Sequence, residues 1–194
     1  MNFALKLTVF RVMLIPLYLL IYFLFEFPFQ NWIAWGVFAI ASVTDFFDGY
    51  IARKYNQSSK LGAMLDPVAD KILVAVVMIS LLVKHADGWE GLFLMICAVI
   101  IIGREIVVSA LREFMSGLNI RNAVAVQYIG KVKTTAQIFA LGFLIVYEDA
   151  WFIPTKEIGW ILLFIAAFLT LWSMVDYFKS AIKALGEQGI DIYQ

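Results

Sequence analysis

The sequence has one cysteine, one histidine and four prolines in 194 residues, and its fifteen Lys and Arg are balanced by fifteen Asp and Glu. A single cysteine excludes an internal disulfide, so Cys97, inside the run LFLMICAVII, is expected to pack in a core. A single histidine, His85, in a short loop from Lys84 to Glu90, has no second ligand beside it; it is expected to be a solvated side chain without a function. Zero net charge excludes the basic surface that nucleic acid requires. Internal repeats and low-complexity segments are also missing, which leaves residues 1–194 as one domain. Charged residues make up only 15% of the chain and hydrophobic ones 63%, too apolar a mixture for a water-soluble domain of this size. What is present, then, is an all-α integral membrane protein.

Apolar runs long enough to cross a bilayer as helices alternate with short polar turns. Met1 to Phe10 is short and amphipathic and reads as an interfacial helix lying in the membrane surface. Six transmembrane helices follow, at about Phe10–Phe25, Trp32–Tyr55, Lys60–Val83, Gly91–Phe114, Val126–Tyr147 and Ile158–Ala184. Phe27-Pro28-Phe29-Gln30-Asn31 and Asn56-Gln57-Ser58-Ser59 are turn signals between them. Most basic residues, among them Lys6, Arg11, Arg53, Lys54, Lys60, Arg112, Lys131 and Lys133, lie at one side, with Lys84 and Lys156 opposite. The positive-inside rule makes the first side cytoplasmic and puts both termini there.

Against this background one stretch stands out. Asp45 to Asp70 carries four carboxylates, Asp45, Asp48, Asp66 and Asp70, in a chain otherwise suited to lipid. Acids at membrane depth cost several kcal/mol each on lenient scales, so they require a reason. At about 100° per residue, Asp45, Asp48, Gly49, Ala52 and Arg53 fall within an arc of about 140° on the second helix. Gly62, Asp66 and Asp70 form an i, i+4 stripe on the third. A short turn makes the two helices antiparallel neighbours, so the stripes can face each other in a pocket a few turns below the cytoplasmic surface. Clustered carboxylates repel at low dielectric unless a cation holds them ionised, and hard oxygen ligands suit Mg²⁺ or Mn²⁺. Enough ligands exist for two ions about 3.5–4 Å apart, the usual clamp for displacement at phosphorus. Gly49, Ala52 and Gly62 would let a ligand approach the backbone, and Arg53 supplies a planar fork for phosphate. Helix packing alone would explain the small residues, and an ion network with Arg53 or Lys71 would explain the acids, but neither explains why both kinds share both stripes.

The spacing D-x2-D-G-x2-A-R-x8-G-x3-D-x3-D, filled by Asp45, Asp48, Gly49, Ala52, Arg53, Gly62, Asp66 and Asp70, resembles the signature of the CDP-alcohol phosphatidyltransferases. L-D-P-V-A-D-K at 65–71, R-E-I-V-V-S-A-L-R-E at 104–113 and I-G-K-V-K-T-T-A-Q at 129–137 resemble the bacterial branch of that family whose acceptor is a glycerol phosphate. The resemblance implies a six-helix enzyme of the bacterial inner membrane, commonly homodimeric, that joins CDP-diacylglycerol to sn-glycerol 3-phosphate and releases CMP. It makes Asp45, Asp48, Asp66 and Asp70 metal ligands, with Asp70 also the catalytic base, and places Gly49, Ala52, Arg53 and Gly62 at the cytidine diphosphate. Relatives often carry asparagine three residues before the threonine of the first helix, where this chain has Leu5; Thr8 is kept as a nucleotide ligand.

The acceptor brings its own phosphate, which needs cations. Arg104, Val108 and Arg112 share one helix face, and Lys131 and Lys133 open the next helix nearby. Two residues apart on a regular helix means about 200°, so the two lysines point different ways. Sister enzymes with another acceptor, of cardiolipin, inositol-phosphate or serine type, would share the acidic stretch and differ in this pocket. A divalent-cation transporter would instead use the acids as a midplane site, but they lie near one surface and no counterpart set occurs in the other half.

Overall fold

The computed structural model describes residues 3–55, 60–118, 128–148 and 153–187, with side chains described for all of these except 3–5, 45–55, 60–67, 128–129 and 131. Over this range the chain forms six helices: α1 (Phe3–Leu24), α2 (Gln30–Tyr55), α3 (Lys60–Lys84), α4 (Gly88–Gly117), α5 (Tyr128–Val146) and α6 (Thr155–Glu187). The expected surface helix and first span are one helix, a correction to the expected break near Phe10. No glycine or proline occurs between Phe3 and Ile15 to interrupt the backbone ladder, and Pro16 is accommodated within the helix.

The turns follow from local chemistry. Phe29 adopts a positive φ of 65°, reversing the chain between α1 and α2. Gln30 Nε2 then donates to the carbonyls of Ile21 and Tyr22, both at 2.9 Å, satisfying acceptors that the end of α1 leaves open. Between α3 and α4 the chain turns so tightly that a Cβ on Gly91 would lie 2.2 Å from the Ala86 carbonyl oxygen, and only glycine fits there.

Each helix runs opposite to the one before it, and their packing traces a ring: α1 on α2, α2 on α5, α5 on α6, α6 on α4, α4 on α3 and α3 back on α1, with α3 touching α5 across the middle. Leu14, Tyr18, Phe38, Leu73, Val77, Ile101, Leu141 and Leu163 belong to the buried centre. The outside is as apolar as the inside: Val99 is 67% exposed and Ile106 63%. Among the described residues three helical stretches, Lys6–Leu24, Gly88–Gly117 and Thr155–Glu187, are long and apolar enough to cross a membrane. In lipid, burial of apolar surface gives little drive to join helices, and close packing and polar contacts do more. Tyr18 and Ser80 share a hydrogen bond of 2.8 Å between α1 and α3. Asn31 Nδ2 donates to the Val146 carbonyl at 3.1 Å between α2 and α5. At Gly159 an added Cβ would lie 2.8 Å from Leu144 Cγ, so the α5–α6 seam is set by a missing side chain.

Candidate functional site

Because the helices alternate, one end of the bundle collects the starts of α1, α3 and α5 and the ends of α2, α4 and α6. The acidic stretch of the sequence lies at that end, on the last turns of α2 and the first of α3. Among the described residues the same end holds a cavity of about 170 Å³, lined from four helices: Asp70 and Lys71 of α3, Arg104, Glu105 and Arg112 of α4, Thr134 and Gln137 of α5, and Tyr177 of α6.

Its chemistry is built around one carboxylate and the cations it cannot fully neutralise. Lys133, 1% exposed, reaches Glu105 Oε1 at 2.5 Å, and Arg104 Nη1 reaches the same oxygen at 3.1 Å. Arg104 Nη2 donates to Ser173 Oγ at 3.4 Å, while its Nε is buried without a hydrogen-bond partner among the described residues. Arg112 Nη2 donates to the Tyr177 hydroxyl at 2.7 Å. Lys71 Nζ donates to Ser109 Oγ, which donates in turn to the Glu105 carbonyl at 2.6 Å. Among the described side chains four cations, Lys71, Arg104, Arg112 and Lys133, thus face two carboxylates, Asp70 and Glu105. A net charge of about +2 suits a phosphate monoester dianion, and an anion beside Arg104 would satisfy a buried donor whose isolation costs about 1–3 kcal/mol.

The structure brings together Asp70, Arg104 and Arg112 from the residues singled out in the sequence, with Lys133 just behind them. Lys133 is the lysine of the 131/133 pair that turns inward; the side chain of Lys131 lies outside the described ones. Asp45, Asp48, Gly49, Ala52, Arg53, Gly62 and Asp66 lie on helical backbone at this end, and their side chains too are outside the described set. Among the described residues no three metal-ligating side chains form a group, and of the four expected ligands only Asp70 is described. The donor set itself, carboxylates alone on the end of α2 and the start of α3, consecutive in the chain, fits a hard divalent cation. Thr8 is buried at 2% and Arg11 at 0% on α1. α1 and α3 run the same way and are pinned by Tyr18 and Ser80, so ten residues back along each, about 15 Å, Thr8 is level with Asp70.

Sequence reasoning missed Glu105, Ser173 and Tyr177. Glu105 had a readable signal, a lone acid beside Arg104 in an apolar helix; Ser173 and Tyr177 had none, since their role arises from packing of α6 on α4. His85 is not solvated as expected: its ring stacks on Tyr147 at 3.8 Å between centroids, because the end of α5 brings Tyr147 over the α3–α4 turn.

The family model for CDP-alcohol phosphatidyltransferase matches residues 1–172. The CDP-diacylglycerol--glycerol-3-phosphate 3-phosphatidyltransferase of Shigella flexneri serotype 5b is 46% identical over 187 residues, 96% of this chain and 98% of its own. Enzymes of the same name from Salmonella typhimurium and Escherichia coli K12 match with the same identity and coverage.

Proposed function

Since the chain belongs to the CDP-alcohol phosphatidyltransferase family, we propose that it transfers the phosphatidyl group of CDP-diacylglycerol to sn-glycerol 3-phosphate, giving phosphatidylglycerophosphate and CMP. The observation that carries the choice of acceptor is the cavity beside Asp70, whose surplus of about two positive charges matches the acceptor's phosphate. Arg104 and Arg112 bind that phosphate with Lys133 behind them, and Lys131 adds to the cationic end. The free primary hydroxyl of the acceptor then points toward α3, where Asp70 takes its proton as the hydroxyl oxygen bonds to the phosphorus carrying diacylglycerol. As that bond forms, the bond from phosphorus to the CMP oxygen breaks, and CMP leaves without a covalent enzyme intermediate.

Members of this family use divalent metals. Here Asp45, Asp48, Asp66 and Asp70 would hold Mg²⁺ or Mn²⁺, two ions in all. When bound, these neutralise phosphate oxygens and stabilise the leaving group. Gly49, Ala52, Arg53, Gly62 and Thr8 line the cytidine diphosphate. All six helices cross the membrane: α2, α3 and α5 are about 39, 38 and 29 Å long at 1.5 Å per residue, enough to span a hydrocarbon core of about 30 Å beside the other three. The site end faces the cytoplasm of a bacterial inner membrane, where the basic residues gather, and the protein works as a homodimer.

Purified protein with Mg²⁺ or Mn²⁺ releases CMP from CDP-diacylglycerol only when sn-glycerol 3-phosphate is added. CMP release with inositol phosphate, serine or phosphatidylglycerol in its place would reassign the acceptor, and metal uptake into vesicles without CMP release would overturn the reaction itself.

A further inference from the structure

If Arg104 and Arg112 bind the acceptor's phosphate, as just proposed, their spacing decides how well they do so, and the α4 contact of Arg104 with Glu105 does not set it, because it leaves Arg112 unheld. Both side chains are long and rotamer-rich, and Arg112 stands at the exposed end of the helix. Both meet the same ring on the neighbouring helix. Tyr177, 3% exposed, has its ring centroid 5.1 Å from Arg112 Cζ and 5.3 Å from Arg104 Cζ, and its hydroxyl accepts the 2.7 Å bond from Arg112 Nη2. The ring itself has little freedom, because it sits in a small apolar cluster with Val108, Met115 and Ala181. Val108 lies one turn from each arginine on their common face, so the tyrosine fills the interval between them.

We infer that Tyr177 of α6 is a positioning residue for the acceptor: it holds the two guanidiniums at one spacing and so sets the affinity for a phosphorylated alcohol, without touching the reacting atoms. A face of an aromatic ring attracts each cation, and the hydroxyl fixes the rotation of one of them. The chemistry at phosphorus lies on α2 and α3, and the measure of the acceptor lies on α6.

The test is steady-state CMP release by the full-length protein, with each substrate varied in turn, for wild type, Tyr177→Phe, Tyr177→Leu, Arg112→Ala and Arg112→Ala/Tyr177→Phe, together with the inhibition constant of inorganic phosphate. Losing a hydrogen bond to a charged group raises the KM for glycerol 3-phosphate about 10-fold in Tyr177→Phe, and Tyr177→Leu, which also loses the ring, raises it further. Inhibition by phosphate weakens in the same proportion, while kcat and the KM for CDP-diacylglycerol stay within about twofold. In the Arg112→Ala background Tyr177→Phe adds nothing, as expected of a residue acting through that arginine. An unchanged acceptor KM in Tyr177→Phe, a parallel change in both KM values, or additivity with Arg112→Ala would each overturn the inference. Should wild type itself not use glycerol 3-phosphate, the proposed function fails first and the inference falls with it. Tyr177→Phe keeps the ring and its packing, so the test stands even if the leucine variant does not fold.

Discussion

The two ends of the bundle are built from the same kinds of side chain and do opposite things with them. At the end where α1, α3 and α5 finish, each described lysine has a partner. Glu90 takes Lys156 at 2.9 Å and the Tyr147 hydroxyl at 2.5 Å, and Lys84 lies over the Tyr22 ring at 4.0 Å while donating to Asn31 at 3.0 Å. The buried atoms there without a hydrogen-bond partner among the described residues, Tyr22 Oη, His85 Nε2 and Trp160 Nε1, belong to neutral groups. At the other end the described cations outnumber the described carboxylates around a cavity, and buried guanidinium Nε atoms, that of Arg104 among them, lack a hydrogen-bond partner among the described residues. An end that only closes the bundle can satisfy itself. Under the proposed function the other end accepts an anion, so donors held in reserve there cost stability that a bound ligand would restore.

Substitutions at the two ends should therefore differ in kind as well as size. The largest effect is expected from Asp70→Asn, which removes the proposed base and lowers kcat about a thousandfold, within the range for general base catalysis, while thermal unfolding stays near wild type. Next is Lys133→Met. It leaves the half-buried Glu105 beside one cation fewer and destabilises the protein by about 2 kcal/mol; adding Glu105→Gln recovers much of the lost Tm but none of the acceptor affinity. At the closed end Glu90→Gln, which breaks an exposed pair, costs at most about 1 kcal/mol and leaves CMP release unchanged. A large loss of activity from Glu90→Gln would erase the distinction between the ends.

The smallest effect is one of pH. Burial, and then Lys84 and Lys156, hold the His85 imidazole below its ordinary range against the pull of Glu90. In the unfolded chain the ring takes up its proton near pH 6.5, in the fold only at lower pH. Unfolded protein therefore binds more protons in that window, and stability falls as the pH drops below about 6.5. His85→Phe keeps the stack on Tyr147 and should flatten that part of the Tm profile.

Much of this arrangement was legible in the chain. The apolar runs and the turns at Phe27–Asn31 and Lys84–Glu90 mark the helices to within a few residues, because lipid admits few charges between them. Helical spacing alone put Arg104 and Arg112 on one face, and the 200° between Lys131 and Lys133 required that one lysine turn away from the other. Residues whose meaning depends on a distant helix were not legible. Tyr177 stands between Asp176 and Phe178 with nothing to mark it, and Arg112 is 65 positions away in sequence. His85 read as a solvated loop side chain because the partner that covers it, Tyr147, is on another turn.

The contact at Gly159 reaches further than its position suggests. From there to Tyr177 is eighteen residues of continuous helix, about 27 Å at 1.5 Å per residue. Over such a lever, a tilt of about 2° becomes about 1 Å at the far tip, a misplacement of the size that costs a positioned group most of its effect. A single methyl group added at Gly159 would thus shift the spacing of Arg104 and Arg112 from the opposite end of the bundle.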